Sequence, residues 1–130
     1  MANVLSKYCP SHQVLDMITG KWSVLVLYAL RGGKLRYSEL EHTVEGISQK
    51  MLTQTLRELA RNGLVKRTVY PVVPPHTDYE LTPLGTSLEG IVYELGGWAQ
   101  RHMDVVLEAR GAYDAQCNGG VQQSVQKSQI

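Results

Sequence analysis

The stretch from Ser48 to Leu81 constrains the fold more than any other part of the chain. Ser48–Asn62 (SQKMLTQTLRELARN) puts Leu52, Leu56 and Leu59 on one helical stripe, joined by Met51 and Ala60. Ser48 is a good N-cap, and Gly63 stands where a C-terminal stop belongs. The period then changes at once. Leu64–Val73 (LVKRTVYPVV) alternates and is rich in β-branched residues, Pro74-Pro75 turns the chain, and Thr77–Leu81 returns. An amphipathic helix therefore runs straight into a hairpin.

The flanking segments are helical. In Ser11–Thr19 the residues Val14, Leu15 and Ile18 have helical spacing, with Pro10 suited to a first helical position and Gly20 as the stop. Ser23–Arg31 is apolar nearly all round, the pattern of a buried central helix, and Trp22 beside it is expected in the core. Gly32-Gly33 ends it. Ser38–Val44 is a short helix with Ser38 as its expected N-cap, and Gly46 breaks it. Thr82-Pro83 starts a helix expected to run to about Arg110, with Gly96-Gly97 marking a kink or a close helix contact. From Gly111 the sequence loses periodicity, and residues 111–130 are expected to form a disordered tail.

This order predicts a mainly α protein with a small β-hairpin wing (α+β). Two helices separated by Gly46 and followed by a hairpin are a winged helix-turn-helix, with helices added at both ends. In such a motif the second helix lies in the major groove. With its leucines buried, that helix shows Gln49, Lys50, Thr53, Gln54 and Arg57 to solvent. These are side-chain types that read base edges and phosphates. Glu58 and Arg61 lie further round.

Composition argues against other classes. The chain has 130 residues, 43% of them apolar and 19% charged, which fits one domain folding without disulfides or metal. The net charge is only +1, but residues 21–67 hold nine bases against four acids, and residues 78–114 seven acids against two bases. The longest apolar run, Val24–Leu30, is far short of the ~18 residues of a membrane span, and no secretory signal precedes Cys9-Pro10. A cytoplasmic protein with reduced thiols and no membrane partner is expected. His12, His42, His76 and His102 are scattered, no phosphate loop or nucleophile motif occurs, and no enzymatic activity, metal or cofactor is expected.

Over about residues 9–107 the chain resembles the HxlR-type regulators, a branch of the MarR-like winged-helix transcription factors. The resemblance is carried by Cys9-Pro10, Gly20-Lys21-Trp22, Leu35-Arg36-Tyr37-Ser38-Glu39-Leu40 and Gly46-Ile47-Ser48-Gln49-Lys50-Met51-Leu52-Thr53-Gln54. Leu56-Arg57-Glu58-Leu59, Gly63-Leu64-Val65, Arg67-Thr68-Val69-Tyr70-Pro71, Val73-Pro74-Pro75, Tyr79-Glu80-Leu81-Thr82 and Leu84-Gly85 continue it. It implies a homodimer on an inverted-repeat operator in double-stranded DNA, with repression as the expected sign. Ser48, Gln49, Lys50, Thr53, Gln54 and Arg57 match the recognition helix. Arg36 is expected on a phosphate. Lys66 and Arg67 alternate along a wing strand, so one of them faces DNA, and the family position favours Arg67. His76 is expected to be an exposed loop histidine.

Val14, Leu15, Ile18, Leu88, Ile91, Leu95 and Trp98 are the expected dimer interface, because so long a last helix has more apolar surface than its own core can use. Cys9 precedes a helix start, where the dipole favours the thiolate. Some HxlR-type regulators sense quinones, aldehydes or oxidants through a cysteine at this position, which makes Cys9 a candidate redox sensor. Cys117 is expected to be incidental. Two alternatives stay open: control by a small-molecule effector, of unknown identity, at the dimer interface, and a winged helix that binds protein without reading DNA.

Overall fold

The computed structural model describes residues 5–124, with side chains to Cys117. Helix α1 spans Pro10–Ile18 and α2 Lys21–Ala29, followed by a single 3-10 turn over Leu30–Gly32. Strand β1 is Leu35–Arg36, α3 is Tyr37–Thr43 and α4 is Gln49–Arg61. The wing strands are β2, Val65–Tyr70, and β3, His76–Leu81, and α5 spans Pro83–Ser124. The chain divides into a first unit ending at Tyr93 and a second beginning at Glu94.

The architecture is a winged helix-turn-helix. Its core forms where the stripes of three helices meet the hairpin: Val26, Leu27 and Leu30, then Leu40, then Leu52, Leu56 and Leu59, closed by Val65, Tyr79 and Val92. The leucine stripe of α4 is fully buried, as its period requires. The sheet is antiparallel in the order β1-β3-β2.

Several expectations need correction. Leu35 and Arg36 pair with Tyr79 and Asp78, adding a third strand that two residues could not signal by themselves. The backbone is therefore still extended at Arg36, which takes the N-cap position of α3 in place of Ser38. The Arg36 amide donates to Glu39 Oε1 at 2.8 Å. Helix α2 is buried on one side only: Leu25 and Tyr28 are exposed, and Trp22 is half-buried against the core rather than within it. Helix α5 passes the expected end near Arg110 and continues to Ser124. The glycines at 111, 119 and 120 cost about 1 kcal/mol each of helix propensity, against which Ala112, Ala115 and Gln116 are helix-forming. The stretch expected to be disordered is thus helical over 111–124, and residues 125–130 lie outside the described residues. The helix also runs without a break through Gly96-Gly97.

The start of α5 is fastened to the end of α4. The Thr82 hydroxyl donates to the Gly63 carbonyl at 2.6 Å and accepts from the Gly85 amide at 3.0 Å, capping the helix. The Thr82 amide donates to the Leu64 carbonyl at 3.1 Å. Gly85 then lies so close that a Cβ there would overlap the Leu64 carbonyl oxygen. One turn on, Arg31 bonds the buried carboxylate of Glu89 at 2.9 Å and stacks over the Tyr93 ring. Gly85→Ala is therefore expected to lower stability by roughly 3 kcal/mol or more. Gly90→Ala, where a Cβ meets nothing, should raise it by up to about 1 kcal/mol. Denaturant unfolding of the two variants checks the contrast.

Candidate nucleic-acid interface

Helix α4 starts at Ser48, whose Oγ accepts from the Met51 amide at 3.1 Å. The expected cap is therefore in place. The amphipathic period turns Leu52, Thr55, Leu56 and Leu59 inward, and Gln49, Lys50, Thr53, Gln54 and Arg57 outward, all five exposed. With Tyr37 and Glu58 these five line an open groove along the helix. Glu58 marks its far edge, with Oε2 4.0 Å from Arg61 Nη1.

A second cleft, about 750 Å³, adjoins the first. Tyr37, Thr53, Leu56, Arg57 and Ala60 form one side, and Arg67, His76, Thr77 and Tyr79 the wing side. Strand register decides between the two wing bases. Arg67 stands opposite Tyr79 and Lys66 opposite Glu80, so the two bases occupy opposite faces of the sheet. Arg67 is on the cleft. Arg36 shares its register row with Asp78 and Thr68, which places it on the other sheet face. It is exposed and is not brought together with the outward residues of α4.

Two cleft residues escaped the sequence. His76 is not an exposed loop histidine: it opens β3, is half-buried and stacks on Tyr70 at 4.7 Å. Its Nε2 lies 4.0 Å from Asp78 Oδ1, a buried oxygen with no hydrogen-bond partner among the described residues. Tyr37, the first residue of α3, reaches across to α4. Its hydroxyl donates to the Gln49 carbonyl at 3.1 Å and lies 2.9 Å from Thr53 Oγ1. Such a contact between residues 37 and 53 leaves no local pattern.

The apolar residues expected to meet a partner divide in two sets. In the first unit Val14, Leu15 and Ile91 are exposed, with Leu84 outside the expected set, whereas Ile18 and Leu88 are half-buried against the chain's own core. In the second unit Leu95 and Trp98 are exposed, 61% and 51%, with Met103 and Leu107. Cys9 is buried at the start of α1. Its pKa is held below the ordinary thiol value, first by hydrogen bonding from the His12 amide; burial opposes this, and the Ser11 amide and hydroxyl add to it. Among the described residues no helix is long and apolar enough to cross a membrane, and no cluster of His, Cys, Asp or Glu could hold a metal.

A model of the HxlR-like helix-turn-helix family matches residues 17–106. The chain is 44% identical over 108 residues to the HTH-type transcriptional regulator YtfH of Escherichia coli K12, across 83% of this chain and 86% of that one. The solved structure of the transcriptional regulator ytfH from Salmonella typhimurium superposes with a TM-score of 0.81 at 42% identity, covering 85% of this chain and 99% of that one. The redox regulator HypR in its oxidised form superposes with a TM-score of 0.66 at 42% identity, covering 72% and 96%. The matched span contains every residue lining the two grooves; Cys9 lies outside it.

Proposed function

We propose that this chain, which belongs to the HxlR-like helix-turn-helix family of transcriptional regulators, binds double-stranded DNA as a homodimer. Helix α4 enters the major groove and the wing lies beside it. The observation that carries this reading is the meeting of Arg57, from the outward face of α4, with Arg67, from the wing, on one cleft. Gln49, Lys50, Thr53 and Gln54 continue the same exposed surface toward the start of α4. Amide and guanidinium groups read base edges there, and Lys50 and Arg67 neutralise phosphates. Ser48 caps the helix beside them, and Arg36, on the other sheet face, contacts a phosphate outside this surface. A dimer on promoter DNA blocks polymerase, so the regulation is repression.

The DNA assignment is tested on duplexes enriched by the wild-type protein from a random-sequence library. Arg57→Ala and Gln49→Ala should each cost about 1–3 kcal/mol on enriched duplexes in mobility shifts at fixed salt. Arg67→Ala should weaken enriched and random duplexes alike, and Lys66→Ala less so. Unchanged affinity in the first two variants would remove α4 as the reading element.

The exposed apolar residues of α1 and α5 support the dimer. Two recognition helices ~34 Å apart fit half-sites one DNA turn apart, so the enriched sequence should be an inverted repeat. Sedimentation at micromolar concentration should give a dimer for wild type and a monomer for Ile91→Asp. A monomeric wild type sinks this part of the reading.

Cys9 supports a redox or electrophile response, in keeping with a structural neighbour named a redox regulator. A lowered thiol pKa means more thiolate at neutral pH, so the midpoint of its alkylation rate against pH should fall below the ~8.5 of a free cysteine. Diamide or a quinone should abolish DNA binding by wild type and Cys117→Ser and spare Cys9→Ser. Equal sensitivity of wild type and Cys9→Ser leaves Cys9 a structural residue.

A further inference from the structure

The contact between Tyr37 and Thr53 has a direction that donor counting fixes. The Gln49 carbonyl only accepts, so the phenol gives it its one hydrogen at 3.1 Å. The 2.9 Å contact to Thr53 Oγ1 is then made by the threonine hydrogen, donated to the phenol oxygen. Gln49 and Thr53 are four apart on α4, so that carbonyl already accepts the Thr53 amide within the helix. Its second lone pair is filled by Tyr37. A threonine inside a helix ordinarily divides between two rotamers, one of which bonds the carbonyl four residues back. Here the phenol has taken that acceptor and offers itself instead.

We infer that Tyr37 is a specificity-determining residue for DNA readout: by binding the Thr53 hydroxyl hydrogen and holding one rotamer, it presents Thr53 to DNA as a hydrogen-bond acceptor with a methyl group beside it. The inference rests on the proposed role of α4. Thr53 is exposed on the groove face and Tyr37, half-buried, lines the groove beside it, so the tyrosine acts on the readout through the threonine hydroxyl it holds. An acceptor-only hydroxyl pairs with an exocyclic amino group, adenine N6 or cytosine N4, and the methyl packs on a neighbouring thymine. Without the phenol, Thr53 regains its second rotamer and a hydrogen to offer to O6, O4 or N7 acceptors, and discrimination falls.

The test selects duplexes from a random-sequence library with wild type, Thr53→Ala and Tyr37→Phe, alongside thermal melts. Thr53→Ala should flatten the motif at one or two base pairs in each half-site, which identifies the pairs facing Thr53. Tyr37→Phe should flatten those same pairs, lowering discrimination about two- to tenfold, with random-duplex affinity retained. The double variant should match Thr53→Ala alone, because the phenol acts only through the threonine. At the identified pair, purine in place of adenine, or pyrimidin-2-one in place of cytosine, removes the amino group. That change should cost wild type the same factor and cost Tyr37→Phe less.

If Tyr37→Phe fails to fold, Thr53→Val carries the test, since it keeps the shape and removes the hydroxyl; it should lose the same preference with Tyr37 intact. A Thr53→Ala or Thr53→Val variant that selects the wild-type motif overturns the inference, as does a Tyr37→Phe variant that selects it or adds its loss to that of Thr53→Ala. In those cases the DNA reading of α4 stands. If wild type enriches no motif, that reading fails and this one with it.

Discussion

The contact of Thr82 with Gly63 and Leu64 is the point on which the winged unit depends. Three elements end or begin there: α4 stops at Arg61, the wing opens at Val65 and closes at Leu81, and α5 starts at Pro83. One side chain serves all three, because the Thr82 hydroxyl bonds the exit of α4 through Gly63 and caps α5 through Gly85. The helix lies against the Leu64 carbonyl only because position 85 has no side chain. The pairing of Arg31 with Glu89 is a second fastening. A buried carboxylate is tolerable only when its charge is met, and Arg31 meets it while its guanidinium also covers Tyr93. Together they leave the exposed apolar side chains of Leu84 and Ile91 on a helix whose start is fixed to α4 and the wing.

The acids of the basic segment are part of the same design. Glu39 turns back to cap α3 through the Arg36 amide, and Glu58 inclines toward Arg61. Glu39 thereby leaves the surface made by Lys50, Arg57 and Arg67, while Glu58 stays at the edge of its groove. The local positive character of the α4 face therefore arises in a chain whose net charge is +1.

Much of this was legible in the sequence wherever a repeating pattern met a terminator. Helix α4 announced itself through Ser48, its leucine stripe and Gly63, and the wing through alternation and Pro74-Pro75. The outward face of α4 follows from the same stripe, so Gln49, Lys50, Thr53, Gln54 and Arg57 were readable together. Strand β1 was not, since two residues have no period and Leu35-Arg36 become a strand only by pairing with Tyr79 and Asp78. Apolar character all round α2 did not mean burial all round, because the core takes Val26, Leu27 and Leu30 and leaves Leu25 and Tyr28 exposed. Alternation placed Lys66 and Arg67 on opposite faces, but only the register with Tyr79 says which face borders α4. The length of α5 was underread because glycine and polar content beyond Gly111 outweighed helix propensity in the reading and not in the chain. Tyr37 and His76 were illegible as site residues, since their partners lie on other elements or depend on strand pairing.

The division of labour on α4 bears on how such a helix diverges. Its inward residues carry the core, while Gln49, Lys50, Gln54 and Arg57 project into solvent. Substitutions at such positions usually change stability by no more than about 0.5 kcal/mol. On the proposed DNA reading of α4, a duplicated copy could therefore exchange these side chains and acquire a new target while keeping its fold. Thr53 is the exception, because it is tied to another helix. On the role inferred for Tyr37, drift there is matched at position 37, so the two positions should change together, and the vocabulary of this scaffold is freer at four outward positions than at the fifth.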